Sequence, residues 1–575
     1  MRVPLIRSVL DSCLRWLDGA PLRAELLAWS LLVACVALAL RGGRSDGAPD
    51  GRGRRALFVF VLVACLAAFR WPALFVPETF NIDESQMVSG AVTLRHDPVF
   101  WRSIEGQTIG PLDYYALVLP TWWGGRNVFL GARTLGLLLV GAVIVLTYRT
   151  ARRTLPERVA RVAVLPLLAF FAFTRDGEFL HYSSEQLPIA LIALAIAALV
   201  RGEAGGGRRW SLLAGIALGL APLAKMQAAP LVAALMAGVA GWRWWQRAAP
   251  ARAGLDLRWL LAGFGAVWLA LAAYATGFHV WPDMLASYFR ANLFYVDANT
   301  EQVARWRVWR AIAAATLRHA EFAPLLLTTL ALVGAAAIGG ARPRGHVAWL
   351  AMLGGLASVG ALAGVLAGAR TFAHYLLLLT PGLGLLLASG FGALLAAESS
   401  RARAWRLAGW VLLLGGGLVL PAANRLVQGN RFAGQYRENR ANAAGVPNPV
   451  VTELRRWVAP GEPLAVWGWE PLMYLRTGCW QATRDPSTRR QVEAGADRAY
   501  YRARYLDDLR RSNPRALVDT TAAHRRGFGF EHFPEFVAYL ERHYVFVAEI
   551  ERRRVYVRRD VVAHGAAASR SEGGR

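Results

Sequence analysis

The chain has 575 residues, of which 55% are hydrophobic and 18% are charged, and its formal net charge is +26. Soluble domains contain about a quarter charged residues, so this composition favours a membrane protein and excludes a single small domain or a mainly disordered chain. The basic excess alone is typical of nucleic-acid-binding proteins. The distribution argues against that interpretation, because many Arg residues stand in short clusters between apolar runs. The four Cys have neither disulfide-framework nor metal-binding spacing.

Apolar runs recur through the first 421 residues. Each approaches the length that crosses a hydrocarbon core of about 30 Å. We therefore expect a polytopic α-helical membrane protein with about 11–13 transmembrane helices. Whether the first run spans the membrane stays open, because it is short and directly follows Arg23 and Glu25. The runs lie at 26–40, 56–77, 128–148, 160–174, 187–200, 210–224, 227–241, 259–278, 322–338, 347–366, 375–396 and 405–421.

Arg clusters fall in alternate loops under this helix assignment. The positive-inside rule places those loops in the cytoplasm and the acid-rich loop 78–112 on the outer side. The same count places the residues after 421 outside the cytoplasm, so we expect no nucleic-acid partner. The clusters lie at 41–55, 149–161, 201–209, 242–258, 339–346 and 397–406.

The residues after 421 have a soluble, mixed pattern. Strands alternating with helices predict a small α/β domain. Its Arg-rich surface fits either simple solvation or contact with anionic lipid headgroups. The expected strands are Pro463–Trp467, 516–518 and a terminal hairpin formed by YVFVAEI and RVYVRR, and the expected helices are 500–511 and 535–543.

These patterns divide the chain into four predicted parts. They are an N-terminal extra helix with a basic cytoplasmic loop (1–55), a transmembrane domain (56–421) with an outer loop (78–127), an extracytoplasmic α/β domain (422–562) and a disordered tail (563–575).

The outer loop contains the adjacent acids Asp83 and Glu84 just beyond a predicted membrane helix. There a carboxylate lies close to the headgroup plane, where a lipid-borne substrate would present its polar group. Partial burial and neighbouring charges can adjust such a carboxylate for general-base catalysis. Ordinary solvated acids would give the same pattern.

Lys225 ends the sixth apolar run and is the only Lys among the 65 Lys and Arg residues. A cation within a membrane segment is costly and is usually functional, although near the interface it can simply reach water. A compact ammonium suits a phosphate oxygen. Two further polar clusters, 175–185 and 370–375, are predicted on the same outer side as Lys225, where they could also merely anchor helices.

Four stretches together resemble a known family. They are the outer loop with Asp83-Glu84, His96-Asp97 and Glu105-Gly106, the helix end 215–226, the helix start 374–381 and the turn 468–475. The chain is similar to the polytopic GT-C glycosyltransferases, especially the bacterial branch related to protein O-mannosyltransferases and lipid A aminoarabinose transferases. His374 stands where that family usually has Arg, and Arg370 is expected to substitute for it.

The resemblance implies a multi-pass protein of the cell inner membrane. It would move a sugar from a polyprenyl-phosphate donor to a hydroxyl of a lipid, glycan or protein acceptor on the extracytoplasmic side, with inversion. Asp83 would be the base and Glu84 would orient it. The donor phosphate would bind Lys225, Arg370, His374 and Tyr375, and further substrate contacts would come from His96, Asp97, Tyr114, His181, Tyr182 and Glu185.

Other functions remain open at this point. Twelve helices and glycine-broken segments also fit a transporter or flippase of a lipid-linked or amphipathic substrate. A third alternative makes the tail a binding module on a membrane anchor. No His or Cys cluster predicts a resident metal, although the fold class leaves room for a divalent cation between Asp83 and the phosphate. In the transferase hypothesis Asp83 and Lys225 are expected to share one outer pocket.

Overall fold

The computed structural model describes residues 21–41, 51–122, 127–246, 254–293, 304–398, 400–434, 448–493, 495, 497–524 and 528–564. The predicted tail at 563–575 lies almost entirely outside the described residues, as do residues 1–20. The chain forms two compact units from interleaved stretches. The membrane unit comprises Met1–Val76, Arg133–Ala272 and Tyr295–Ala441, and the mixed unit comprises Pro77–Ala132, Ala273–Phe294 and Asn442–Arg575.

The membrane unit is built from apolar helices. Among the described residues, eight helices are long and apolar enough to cross a membrane, and a ninth span results if the bent pair Arg305–Arg318 and Ala323–Ile338 is counted as one. The protein is therefore a multi-pass membrane protein, as predicted. The eight are Arg23–Arg41, Arg52–Leu74, Leu130–Ala151, Gln186–Gly206, Leu257–Gly277, Gly345–Ala367, Ala373–Ala396 and Arg403–Gly434.

The other predicted spans form shorter or less apolar helices. The run 160–174 is divided into Glu157–Ala163 and Leu165–Phe173, and Pro166 occupies the first turn of the second helix, where its missing N–H is tolerated. Arg208–Ala224 ends because Lys225 has extended backbone. The remaining short elements are Gly177–Leu180, Met226–Ala228 and Ala229–Gln246. Two of the eight crossing helices are subdivided, the one at 373–396 into Ala373–Leu379 and Thr380–Ala396, and the last one into Ser400–Trp410, Val411–Val419 and Leu420–Gln428.

The mixed unit contains the predicted α/β domain. Its five strands are β1 (Pro463–Trp467), β2 (Trp480–Gln481), β3 (Ala516–Asp519), β4 (Tyr544–Ile550) and β5 (Arg553–Arg558). They form one sheet in the order β2-β1-β3-β5-β4. β1 pairs in parallel with β2 and β3, whereas β5 is antiparallel to both β3 and β4. The predicted strands and terminal hairpin are confirmed.

Apolar side chains cover both faces of this sheet. Successive residues of a strand point to opposite faces, so Leu464 and Val466 join one buried cluster and Ala465 and Trp467 join the other. The mixed unit also contains helices. They are Ile82–Leu94, Pro111–Val118, Pro120–Trp122, Trp281–Met284, Leu285–Arg290, Pro449–Trp457, Leu472–Thr477, Arg489–Val492, Arg498–Ser512, Thr521–His524, Phe530–His532 and Pro534–His543.

The segment after the second membrane helix belongs to the mixed unit and is hydrogen-bonded to the α/β domain. Trp469 donates its indole N–H to Gln86 Oε1 at 3.0 Å. Gln481, the last residue of β2, donates its backbone N–H to Thr93 Oγ1, also at 3.0 Å. These bonds hold the helix Ile82–Leu94, which carries Asp83 in its first turn, against the sheet domain.

A buried ion network reinforces this attachment. Glu105, which is fully buried, pairs with Arg490 at 2.7 Å and with Arg504 at 2.8 Å. Arg504 also contacts Asp485, and Arg484 pairs with Asp508 at 2.8 Å. Breaking a buried pair leaves an uncompensated charge that typically costs about 3–5 kcal/mol, so the network fixes the loop to the domain.

Asp485 predicts a pH dependence of stability. Burial, with help from Glu105 and against the attraction of Arg504, raises the pKa of Asp485 to about 7. The folded state therefore holds a proton up to about pH 7 that the unfolded chain releases near pH 4. The contribution of this proton to the free energy of unfolding is complete below about pH 4 and is lost as pH rises through about 7.

We expect Asp485→Asn, which is always neutral, to gain stability relative to wild type as pH rises from about 5 to 8. The expected gain in unfolding free energy is on the order of 2–4 kcal/mol, measured from thermal unfolding of the purified protein. Asp507→Asn is the control, because Asp507 is exposed and pairs only with Arg510 among the contacts described. A pH-independent difference between wild type and Asp485→Asn would contradict the prediction.

Candidate active site

Lys225 lies at the centre of a buried polar cluster in the membrane unit. Its ammonium is 3.0 Å from Glu185 Oε1 and donates to Ser184 Oγ at 2.6 Å. It also lies over the ring of Tyr375, 5.2 Å from the centroid. The two charged side chains are only 2% and 0% exposed. A cation held this way is neither at the surface nor in contact with lipid, which excludes the simple interfacial role left open by the sequence.

The position of Lys225 follows from local backbone structure. The preceding helix ends at Ala224, and Lys225 takes the extended values φ −144° and ψ 120°. Glu185 stands directly before the helix Gln186–Arg201. Burial raises the pKa of Glu185, but Lys225 and then His374 outweigh it, so the net shift of the pKa is downward. Glu185 is thus held as a carboxylate that keeps its partner charged.

His374 and His181 extend the cluster. His374 Nδ1 contacts Glu178 Oε2, and the two imidazole rings meet edge to face with centroids 5.8 Å apart. His181 Nδ1 lies 2.8 Å from the Gly177 carbonyl oxygen, whereas its buried Nε2 has no hydrogen-bond partner among the described residues. A buried imidazole nitrogen of this kind is available to a ligand.

The backbone at Gly368 allows the Tyr375 ring to approach. A Cβ at this position would lie 2.8 Å from Tyr375 Cε2 and 2.4 Å from Gln227 Nε2. Both distances are shorter than van der Waals contact, so a side chain at this position would displace the Tyr375 ring or the Gln227 amide. The Tyr375 ring is in turn 4.9 Å from His374, which completes an aromatic wall beside Lys225.

Asp83 lies in the first turn of the helix Ile82–Leu94 in the mixed unit. The side chain of Asn81 caps this helix by accepting the Asp83 backbone N–H at 2.9 Å. Acids in a first turn interact favourably with the helix dipole. In the part of the chain that the structure describes, the half-buried Asp83 carboxylate forms no hydrogen bond or ion pair. It therefore retains acceptor capacity that a substrate hydroxyl can use.

The other outer-loop candidates differ in their surroundings. Glu84 is fully buried and accepts the Phe80 backbone N–H at 3.4 Å. Tyr114 is also buried, and its hydroxyl accepts from Gln86 Nε2 at 3.0 Å. Arg102 Nε donates a hydrogen bond to Asp97 Oδ2 at 3.0 Å.

His96 stacks on Trp480 at 5.8 Å, and burial followed by the charge of Arg95 lowers its pKa. A neutral imidazole on an indole is a stable packing contact. His96 and Asp97 are thus engaged within the mixed unit, and their substrate roles stay predictions.

The structure brings four of the predicted residues together around Lys225, namely Glu185, His181, His374 and Tyr375. Tyr182 is fully buried in the same polar loop, and Arg370 is partly exposed just before Ala373–Leu379. Asp83, Glu84, His96, Asp97 and Tyr114 lie in the mixed unit. The expected common pocket of Asp83 and Lys225 stays a prediction.

Sequence reasoning missed Glu178 and Ser184 as members of the Lys225 cluster. Both stand in the polar loop 175–185 that the sequence singled out, so the composition of that loop was the available signal. Their partners are remote in sequence, since His374 is 196 residues from Glu178. Among the described residues, no group of three or more His, Cys, Asp or Glu side chains is arranged to hold a metal.

A cavity of about 550 Å³ opens near the start of the same loop. Glu321 accepts the backbone N–H groups of Arg175 at 2.8 Å and Asp176 at 3.2 Å. His319 Nε2 lies 3.1 Å from Asp176 Oδ2, and this hydrogen bond is the main reason that the pKa of Asp176 is lowered. The lining residues are Arg175, Asp176, His319, Ala320, Glu321 and Arg431.

Comparisons with known proteins agree with this architecture. The model of the family described as dolichyl-phosphate-mannose-protein mannosyltransferase matches residues 124–262. A comparison with curated proteins gives no match. ArnT from Cupriavidus metallidurans bound to undecaprenyl phosphate matches with a TM-score of 0.52 and 14% identity, over 88% of this chain and 98% of that chain.

Two further solved structures are similar to a lesser degree. The apo state of the same ArnT gives a TM-score of 0.47 at 14% identity, over 87% of this chain and 98% of that one. The apo Archaeoglobus fulgidus oligosaccharyltransferase gives 0.42 at 12% identity, over 81% of this chain and 69% of that one. The predicted fold class and resemblance are confirmed by the partial family match and by the first of these structures: the chain has the fold of the polytopic GT-C glycosyltransferases.

Proposed function

We propose that this protein is a membrane glycosyltransferase that moves a sugar from a polyprenyl-phosphate donor to an acceptor hydroxyl. The observation that carries the proposal is the buried Lys225–Glu185 pair, with Ser184 and Tyr375 around the ammonium, at the end of a membrane helix. A charged pair in such a place is costly and is usually kept for function.

The donor class follows from the chemistry of this cluster. An ammonium forms strong charge-assisted hydrogen bonds to phosphate oxygens. The apolar helices around it offer a surface for a prenyl chain, and the Tyr375 and His374 rings form a wall that suits a sugar face. ArnT, which shares the fold, was solved with undecaprenyl phosphate, and this supports a polyprenyl phosphate as the carrier here.

Asp83 is the proposed general base. Its carboxylate would take the proton of the acceptor hydroxyl while that oxygen bonds to the anomeric carbon of the sugar. The bond from that carbon to the phosphate oxygen breaks in the same step, and the electron pair stays on the leaving phosphate. A single displacement of this kind inverts the anomeric configuration. Glu84, the next residue in the same helix, would orient Asp83 or the substrate.

Lys225, with Arg370 and His374, would stabilise the negative charge that grows on the leaving phosphate. Such preorganised charge is usually a large part of enzymatic rate enhancement. A phosphate is already a good leaving group, so this scheme needs a base and a cation but no strong acid. We place the reaction and the α/β domain on the extracytoplasmic side of the inner membrane, because the Arg clusters of the alternate loops favour that orientation.

The acceptor can be identified by comparing cells that carry wild type or Asp83→Ala. Mass spectrometry of their glycolipids, surface glycans and secreted proteins is expected to show one sugar missing from one of these classes in the variant. Equal amounts of the two proteins in the membrane fraction must be verified by immunoblot. Identical sugar profiles at equal protein levels would contradict the proposed transferase function.

A further inference from the structure

One helix of the membrane unit has features that sugar transfer does not use. The segment Arg305–Arg318, with the sequence RWRVWRAIAAATLR, contains four Arg and no Asp or Glu. We call it the basic helix. Cationic amphipathic helices with Trp on their apolar face commonly lie at membrane surfaces.

The basic helix has two different apolar faces. Ile312 is buried in the membrane core cluster, and Val308 packs against that cluster. Trp306, Trp309 and Leu317 are 55%, 45% and 51% exposed. At about 100° per residue these three positions fall within about 80° of one another, on a stripe centred roughly 100° from Ile312, with Trp309 at the border nearest to it. The protein thus covers one apolar face and leaves the other available to its surroundings.

The direction of the basic helix indicates what those surroundings are. It is bent by 95° from the following helix, Ala323–Ile338. That helix has 16 residues, a length of about 24 Å, and exposes Leu327, Leu330 and Ile338. Ala323–Ile338 is the uncharged member of this bent pair and is therefore the part suited to the hydrocarbon layer, so a helix at nearly a right angle to it would run along the membrane plane.

The charges of the basic helix fit phospholipid headgroups. Arg307, Arg310 and Arg318 lie on the flank beside the exposed stripe, on the side opposite the buried face. The guanidinium groups of Arg307 and Arg310 both lie 5.5 Å from the Trp306 ring centroid. Guanidinium groups bind phosphate in a bidentate manner, and Trp prefers the headgroup level.

We propose that the basic helix lies in the headgroup layer and binds anionic phospholipids through Arg307, Arg310 and Arg318, with Trp306, Trp309 and Leu317 inserted below them. The occupant is lipid because the basic helix is joined, through a short turn, to the uncharged helix Ala323–Ile338, whose own apolar side chains are exposed. A soluble partner would have to compete with the bilayer for the same surface.

Lipid retention provides a direct test. Full-length protein reconstituted in nanodiscs of mixed phosphatidylcholine and phosphatidylglycerol is examined by native mass spectrometry for the lipids that stay bound. Each basic residue at an anionic surface changes affinity about fivefold. We therefore expect the ratio of bound phosphatidylglycerol to bound phosphatidylcholine to be at least about tenfold lower for the triple variant R307Q/R310Q/R318Q than for wild type.

The matched control is R307K/R310K/R318K, which keeps all three charges and should retain most of the preference. Unchanged phosphatidylglycerol retention in the Gln variant would overturn the proposal. The same loss in the Lys variant as in the Gln variant would also overturn the role of charge. Neither readout requires sugar transfer, so the result is independent of the proposed function.

The depth of the helix supplies a second measurement. Nitroxide labels are placed at Leu317→Cys on the exposed stripe and at Ala311→Cys on the Arg flank, in protein whose four Cys are replaced. We expect higher oxygen accessibility and lower accessibility to a nickel chelate at 317 than at 311. Equal access of the nickel chelate to both labels would show that the helix lies in water or against another protein, and would overturn the membrane placement.

Discussion

Purified protein carrying Asp83→Asn is expected to lose sugar transfer by about two to four orders of magnitude, the usual contribution of a general base. Asn has the same shape as Asp but cannot take the acceptor proton. The helix cap should survive, because Asn81 binds the backbone N–H of residue 83 rather than its side chain. Turnover of a polyprenyl-phosphate sugar in nanodiscs, with a hydroxyl acceptor in excess, measures the effect.

The matched control is Glu78→Gln in the same outer segment. Glu78 is exposed and has no predicted substrate contact, and a surface substitution of this kind usually changes stability by about 0.5 kcal/mol or less, so turnover should change only slightly. Thermal unfolding should be similar for both variants and wild type. Wild-type turnover by Asp83→Asn would remove Asp83 from the base role. Equal losses of turnover in both variants would instead indicate that the negative charge of the segment, rather than proton transfer by Asp83, supports the reaction.

Local patterns were sufficient to predict the α/β domain. The strand Pro463–Trp467 was predicted with the bounds that the structure shows. A short run of mainly apolar residues is flanked there by Pro460-Gly461 on one side and by Gly468 on the other. The terminal hairpin was predicted from two short alternating runs, and these form β4 and β5. Both signals act over a few residues, which is the range that a single sequence reveals.

Longer-range features could not be predicted in this way. The pairing of Glu105 with Arg490 joins residues 385 positions apart, and no periodicity relates them. The sequence identified Lys225 by its rarity, whereas its partner Glu185 was one of several acids in polar loops. Which of these acids pairs with Lys225 is determined by the three-dimensional fold and cannot be read from the sequence alone.

Replacing Lys225 with Met is expected to destabilise the protein by about 3–5 kcal/mol, the usual cost of removing one partner of a buried ion pair. Met has a similar length, so the effect reports the charge. The Glu185 carboxylate, which is fully buried, would then lie without its cation. Thermal unfolding of the purified protein in detergent measures the loss, and Lys225→Arg should recover only part of it because a planar guanidinium fits differently.

The double variant Glu185→Gln, Lys225→Met separates stability from donor binding. Removing both charges relieves the buried carboxylate, so the unfolding temperature should return close to that of wild type. The donor phosphate would still lack its ammonium. A hydrogen bond to a charged group contributes about 1.5–3 kcal/mol, so the donor concentration needed for half-maximal rate should rise by about one to two orders of magnitude. Acceptor dependence should change little. If the double variant regains stability and keeps the wild-type donor dependence, Lys225 is a structural cation and the phosphate binds elsewhere.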